Sequence, residues 1–327
     1  MLSRAPSKVV RDWSSDSRRW SGYKPRKDDV IIATSPKVGT TWMQQVVNLL
    51  IFQSPQPRPL FELSPWLDSR IHLPIDAVLP MIEAQTNRRF LKSHLPLDAL
   101  PIYDEVKYIH VARDGRDACM SLLNHLNSFL PAAWENFDAI GMADETIGRP
   151  IPRPPTTTRE FFLYWIADGG GSMNRMRSEG FFALERSFWT ERGRSNLLLV
   201  HYNDLKADLS GEMKRIADFL GIETPDDLWP QLVDAASFEA MKRDGRVLLA
   251  GAERAIRNGH ETFLHSGTNN RWLGVLTEAD LGLYERKVNA ELSPSLSHWL
   301  REGRLRSGDP MSAPDREGIC FISRNPN

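Results

Sequence analysis

Short apolar runs alternate with longer stretches of helical periodicity along this chain, and their order predicts its architecture. Val30-Ile31-Ile32-Ala33 is an uninterrupted apolar run ending at Thr34, predicting a strand near 30–34, and similar runs predict strands near 89–93, 107–112 and 196–202. Continuous runs of this length, bounded by turn residues, are the pattern of strands covered on both faces in a parallel sheet. Between them, apolar positions recur at the 3.6-residue period of a helix: Trp42, Val46, Leu49 and Leu50 within 40–53, with further helices over 115–127 and 208–220. Gly221 falls where the last of these needs a residue in the left-handed region to end it. Strand, turn and helix in this succession, without a visible internal repeat, predict a single α/β domain with a parallel β-sheet flanked by helices.

Two segments break the rhythm. Residues 127–158 are rich in proline and poor in periodic signals, which predicts a functional loop or lid. Beyond about Arg304 the chain becomes Gly-, Ser-, Pro- and charge-rich, predicting a loosely ordered tail over 304–327. The expected organisation is an N-terminal extension over 1–22, one domain over 23–303, and that tail.

Composition narrows the function classes. With 327 residues and 41% hydrophobic content, the chain can bury a substantial core. Its 41 basic and 42 acidic residues give a net charge of −1, so no global basic field drives nucleic-acid binding and any anion site must be local. The two cysteines, Cys119 and Cys320, are too few for a disulfide framework and lack zinc-site spacing, so both are expected to be free thiols in a reducing, cytoplasmic setting without a metal. The longest apolar stretch, Val46 to Phe52 broken by Asn48, is far short of the ~20 residues that span a bilayer. The N-terminus carries Asp12 and Asp16 and no apolar central segment, unlike a secretory signal, while its Arg and Ser content leaves an organelle transit peptide open.

Candidate chemistry concentrates at the strand ends. After the first run comes Thr34-Ser35-Pro36-Lys37-Val38-Gly39-Thr40-Thr41-Trp42. A Walker loop places its lysine after the last glycine. Here Lys37 precedes Gly39, and Thr40 and Thr41 follow at the expected helix start, where unpaired N–H groups and the positive end of the helix dipole attract an anion. Gly39 would let the backbone approach a phosphate, with the aromatic face of Trp42 beside it. The same residues also fit a capped turn bearing a surface lysine.

After the second run, Lys92 and His94 share one side of a short strand by its period of two, at the end where open α/β sheets bind ligands. A structural histidine is the plainer reading of His94 alone. After the third run, Arg113 stands at the turn, able to fork onto a phosphate, and Ser121 lies about two helical turns on. Arg113, Asp114, Arg116 and Asp117 fit an ion-pair cluster capping the helix equally well. A fourth segment, Phe263 to Gly274, is a Gly/Asn/Ser loop holding Arg271 beside Trp272.

With these segments in this order, the chain resembles the cytosolic-type sulfotransferases, which move a sulfuryl group from 3′-phosphoadenosine 5′-phosphosulfate (PAPS) to an acceptor hydroxyl or amine. TSPKVGTTW resembles that family's T-Y-P-K-S-G-T-T-W loop, RFLKSHLP its K-T-H-L-P strand, and VARDGRDACMS its V-A-R-N-x-x-D-x-x-x-S turn. VHYNDLKAD and ASFEAMKRD resemble two later segments, and the similarity spans about 23–290. The resemblance implies a P-loop nucleotide-hydrolase-like three-layer fold, PAPS as donor and PAP as product.

Carried over by position, Lys37, Val38, Gly39, Thr40 and Thr41 would surround the 5′-phosphosulfate, and Arg113 and Ser121 the 3′-phosphate. Trp42 and Phe238 would flank the adenine, with Tyr202 and Ser237 near the nucleotide. His94 matches the catalytic base, and Lys37, helped by Lys92, would stabilise the leaving phosphate. Val38 replaces a small polar residue, and Ala236 replaces a Thr. Residues His265 to Trp272 replace R-K-G-x-x-G-x-W with two cations lost, so the Gly267 backbone and Arg271, or Arg257 upstream, are expected to serve the 3′-phosphate.

The acceptor pocket is expected from 61–80, with Phe61, Trp66 and Leu67, and from 127–158, with Phe129, Leu130, Trp134 and Phe137. Such apolar walls favour a hydrophobic alcohol or phenol over a carbohydrate polymer. A nucleotide-binding protein without transfer activity and a P-loop kinase are the rival classes. The dimerisation motif of some relatives is not matched by ERKVNAELS, so no dimer is inferred.

Overall fold

The uninterrupted apolar run Val30–Ala33 forms β1, and all four of its residues are buried. In the computed structural model, which describes residues 1–167 and 180–314, it is joined by β2 (Phe90–Ser93), β3 (Lys107–Ala112) and β4 (Leu197–His201). The four pair in parallel in the order β2-β1-β3-β4, with Ile32 opposite both Lys92 and Ile109, and Ala112 opposite His201. Helix α1 (Thr40–Phe52) follows β1, α2 (Gly115–Asn127) follows β3, α3 (Pro131–Met142) comes next, α4 (Phe181–Thr190) precedes β4, and α5 (Leu209–Leu220) follows it. The expected parallel sheet flanked by helices is present. Gly221 ends α5 at φ 65°, letting the Ile222 N–H reach back 2.9 Å to the Ala217 carbonyl.

The strand order decides where a ligand can sit. The chain leaves β1 for one side of the sheet and returns on the other, so the carboxyl ends of β1 and β3 lie side by side where the winding reverses. Ligands of open α/β sheets bind at that crevice. The loop carrying Lys37 leaves β1 there, and Arg113 leaves β3.

The proline-rich segment expected as a loop is partly helical. Its first proline, Pro131, occupies the opening turn of α3, where a missing N–H costs nothing and a fixed φ suits the helix. The N-terminal residues pack on the domain: Leu2–Arg4 pairs antiparallel with Ile102–Tyr103, and Trp13 and Trp20 are buried. Asp144, just past α3, is a buried carboxylate held by Arg11 at 2.7 Å and Arg70 at 2.8 Å, which ties residues beyond α3 to the N-terminal segment. Of the residues expected as a tail, Arg304–Ser307 form a helical turn, and Arg304 donates to Glu212 at 2.6 Å. Residues 315–327, including Cys320, lie outside the described residues, while Cys119 is a buried free thiol. Among the described residues no helix is long and apolar enough to cross a membrane.

Arg89, fully buried at the start of β2, is the clearest test of the fold's internal electrostatics. Its guanidinium forks onto Asp29, and Asp29 also accepts from the Tyr23 hydroxyl at 2.6 Å and the Arg26 N–H at 2.8 Å. Removing Asp29 would leave the buried Arg89 charge only the half-exposed Glu83 carboxylate at 3.2 Å and the Lys24 carbonyl at 2.7 Å, a poorer compensation than the forked pair. Asp29→Ala is expected to cost about 3–5 kcal/mol of unfolding free energy. An unchanged denaturant midpoint would refute that account.

Candidate active site

At the crevice where the winding reverses, β1 ends in a loop whose shape depends on two unusual backbone conformations. Lys37 has φ 67° and Gly39 φ 119°. A side chain at Gly39 would also meet the Tyr202 ring at 3.0 Å, so glycine is required by conformation and by space. Gly39 caps α1 with no side-chain hydrogen bond, leaving the helix's first N–H groups directed at the crevice. The Thr34 and Thr40 hydroxyls, 2.6 Å apart, close the loop behind them.

This loop forms one wall of a cavity of about 750 Å³. Lys37, Gly39, Thr40, Thr41 and Trp42 line it from the loop and α1, and Lys92 and His94 from β2 and the turn after it. Arg113 and Ser121 contribute from β3's end and α2; Tyr202, Phe238, Gly267 and Arg271 close the far side. Trp66 and Phe129 line it as well. Six expected residues do not line it: Leu67 is buried in the core, Leu130 and Arg257 stand outside the wall, and Val38, Ser237 and Trp134 have their side chains placed elsewhere. The Val38 side chain is buried in the core, and the Ser237 hydroxyl caps the helix Phe238–Arg243 by accepting from the Ala240 N–H at 3.1 Å. Trp134 packs behind Phe129 and Phe137, at 5.5 and 6.0 Å, and it is Phe137 that reaches the cavity.

His94 is fixed in orientation and tautomer. Its Nδ1 lies 2.8 Å from the Thr34 carbonyl oxygen, which can only accept, so Nδ1 carries the hydrogen and the neutral ring has its lone pair on Nε2. Trp66 packs edge-on against it at 4.9 Å and also carries the Lys92 ammonium 4.5 Å over its ring. Lys37 places its ammonium 4.4 Å over the Phe263 ring, and its pKa is lowered to about 8, first by burial and then by the charge of Arg113. A lysine whose charge is penalised in this way favours any anion that restores its proton.

Arg113 organises the loop that lost its cations. Its guanidinium lies 4.1 Å over Tyr202 and donates to the Asn269 side-chain oxygen at 2.7 Å and the Thr268 carbonyl at 2.8 Å. Tyr202 and Lys206 both donate to the Gly267 carbonyl, at 3.2 and 2.9 Å. Gly267, at φ 63°, lies so close to Phe238 that a side chain there would meet the ring at 3.0 Å. Arg271 lines the cavity, whereas Arg257 is exposed and is not part of the wall. The trace of the loop thus survives through partners from other elements.

Four wall or support residues are not singled out by the sequence: Asn269, Phe263, His72 and His125. His125 had a usable signal, because it lies one helical turn beyond Ser121 and so shares its face of α2. His72 comes from an irregular segment, where Nδ1 lies 2.8 Å from the Ser69 hydroxyl and burial, then Lys92, lowers its pKa to about 4.

Comparison with known proteins identifies the family and the fold. A sulfotransferase domain family matches residues 27–293. A glycolipid sulfotransferase of Mycobacterium bovis (strain BCG / Pasteur 1173P2) is 34% identical over 322 residues, covering 92% of this chain and 96% of its own. Sulfotransferase 1A1 of Rattus norvegicus is 26% identical, covering 77% and 80%. Among solved structures, retinol dehydratase in complex with androsterone and the inactive cofactor PAP superposes with a TM-score of 0.63 at 20% identity, over 84% of this chain and 83% of that one. Mouse sulfotransferase SULT7A1 complexed with PAP gives 0.60 at 18% identity, over 86% and 90%. The extent of the family match and the full-length 34% identity establish that this chain belongs to the sulfotransferase domain family.

Proposed function

We propose that the protein transfers a sulfuryl group from PAPS to a hydroxyl of a hydrophobic small molecule, an alcohol or phenol, with His94 as general base. The observation that carries this reading is the Nδ1 bond from His94 to the Thr34 carbonyl. It joins the base to the same turn that carries Lys37, so proton acceptor and anion loop face one cavity in fixed relation. When bound, PAPS supplies the sulfuryl group on its 5′-phosphate, and PAP is the product. The backbone around Gly39, with Lys37, Thr40 and Thr41, would hold the 5′ end, and the tight space at Gly39 fits a backbone that a phosphate must approach closely. Trp42 and Phe238 would take the adenine, and Arg113, Ser121, Gly267 and Arg271 the 3′-phosphate.

His94 Nε2 accepts the acceptor's proton, and Lys37, with Lys92 beside it, counters charge on the leaving oxygen. The apolar walls from Trp66, Phe129 and Phe137 suit a hydrophobic acceptor and exclude water. The name of the 34%-identical relative, a glycolipid sulfotransferase, adds a lipid-borne hydroxyl to that class.

Stabilisation against heat by PAP without metal, together with transfer from labelled PAPS to a panel of hydrophobic alcohols and phenols, is the direct test. A response to Mg-ATP and none to PAP would refute it in favour of a P-loop kinase; PAP binding with no transfer would favour the binding protein. Within the same assay, Arg113→Ala is expected to weaken PAP by about 10- to 100-fold, the loss of charged hydrogen bonds worth roughly 1.5–3 kcal/mol. An unchanged PAP affinity would exclude Arg113 from the nucleotide site.

A further inference from the structure

His125 projects from α2 into the wall of the cavity, on the side built by Phe129 and Phe263. Those rings meet it edge-on, at 4.8 and 5.4 Å. Its Nδ1 is buried and has no hydrogen-bond partner among the described residues. Nδ1 has no exposed surface for a ligand to reach, so the ring meets the cavity through Nε2, which is not among the buried atoms and has no hydrogen-bond partner among the described residues; a polar atom set between aromatic rings at a ligand cavity points to a polar atom of the ligand.

Of the other three imidazoles that line the cavity, two have their Nδ1 atoms occupied within the protein: His94 by the Thr34 carbonyl and His72 by the Ser69 hydroxyl. The third, His265, belongs to the part-exposed loop across the cavity, so His125 is the buried one without such a partner. Lys37 and Lys92 face it electrostatically and, after burial itself, hold its pKa well below 6.5, so it is neutral at physiological pH. A neutral imidazole offers one donor and one acceptor, the complement of a hydroxyl, which also donates and accepts. An acceptor with a single hydroxyl engages that group at His94 and brings nothing to His125.

We propose that His125 binds a second hydroxyl of the acceptor, so that the preferred acceptor is a polyhydroxylated amphiphile, such as an alkyl glycoside, rather than a monohydroxylic alcohol or a phenol. The proposal rests on the reading of this cavity as the acceptor site. It makes His125 a specificity-determining residue: a site with a polar atom committed to a substrate hydroxyl discriminates against analogues that leave that atom unpaired.

Binding of octyl glucoside and of n-octanol to the PAP-saturated protein, by calorimetry, tests it in the wild type, His125→Phe and His125→Gln. The wild type is expected to prefer the glucoside. In His125→Phe, which keeps an aromatic ring between Phe129 and Phe263, that preference should fall about tenfold, and His125→Gln should restore most of it. Equal weakening of both ligands, an unaltered preference in His125→Phe, or no preference in the wild type would each overturn the proposal. Binding of neither ligand by a protein that still binds PAP would instead overturn the acceptor-site reading, and this proposal with it. Matching melting temperatures for the three proteins exclude misfolding as the cause.

Discussion

Alanine in place of His94 is expected to lower kcat by about 10²- to 10⁴-fold, the usual contribution of a positioned general base, while PAP affinity stays close to that of the wild type. The separation follows from geometry. His94 lines the cavity and is held through Nδ1 by the Thr34 carbonyl, whereas the groups proposed to hold phosphate are the backbone around Gly39, Lys37 and Arg113. Its removal costs the proton acceptor and one contact to the loop, and leaves the N–H groups at the start of α1, Lys37 and Arg113 in place. His94→Gln sharpens the test, because an amide N–H can still donate to the Thr34 carbonyl but cannot take a proton at neutral pH. If Gln restores turnover, His94 acts by holding the loop; if both variants are equally inactive with intact PAP binding, it acts as the base. Turnover within about tenfold of wild type in His94→Ala would refute the assignment.

The parts of this molecule that the sequence discloses are those determined locally. Val30–Ala33 is readable as a strand because a parallel strand buried on both faces needs an unbroken apolar run, and Gly221 as a helix end because φ 65° favours glycine. Lys37 and Gly39 are readable as a candidate anion loop because the pattern is contained in nine consecutive residues. Other features depend on partners far along the chain. Asn269 acquires its role from Arg113, 156 residues away, and the anchoring of Asp144 by Arg11 spans 133 residues, so neither segment displays the relation alone. Helix α3 is hidden by the prolines around it, although a proline in a first turn is compatible with a helix. Ser237 and Trp134 show the converse: resemblance along the chain assigns both to the site, while in the fold one side chain caps a helix and the other stands one layer behind the cavity wall. His125 is legible in spacing, one turn after Ser121, but its significance appears only with the rings packed around it.

Lys37→Met is expected to reduce kcat by about 10²- to 10³-fold, comparable to removing one preorganised donor from a developing oxyanion, and to abolish a proton uptake that accompanies PAP binding in the wild type. The sign of the linkage is fixed by the direction of the pKa shift. In the empty folded protein Lys37 titrates at about 8, below the ordinary lysine value of 10.5, because burial and the Arg113 charge penalise its ammonium. The unfolded chain therefore binds more protons than the native one between about pH 8 and 10.5, and the penalty on native stability is fully present below that window and relieved as pH rises through it. A bound polyanion raises the lysine pKa again, so near pH 9 association draws a proton from the buffer, and PAP affinity falls as pH climbs past 8. Calorimetry in buffers of different ionisation enthalpy measures that proton directly. Methionine retains the packing against Phe263 without the charge, so the variant should be at least as stable as wild type at neutral pH while losing both proton uptake and turnover. Equal proton uptake in wild type and Lys37→Met would place the titrating group elsewhere and remove Lys37 from the anion site.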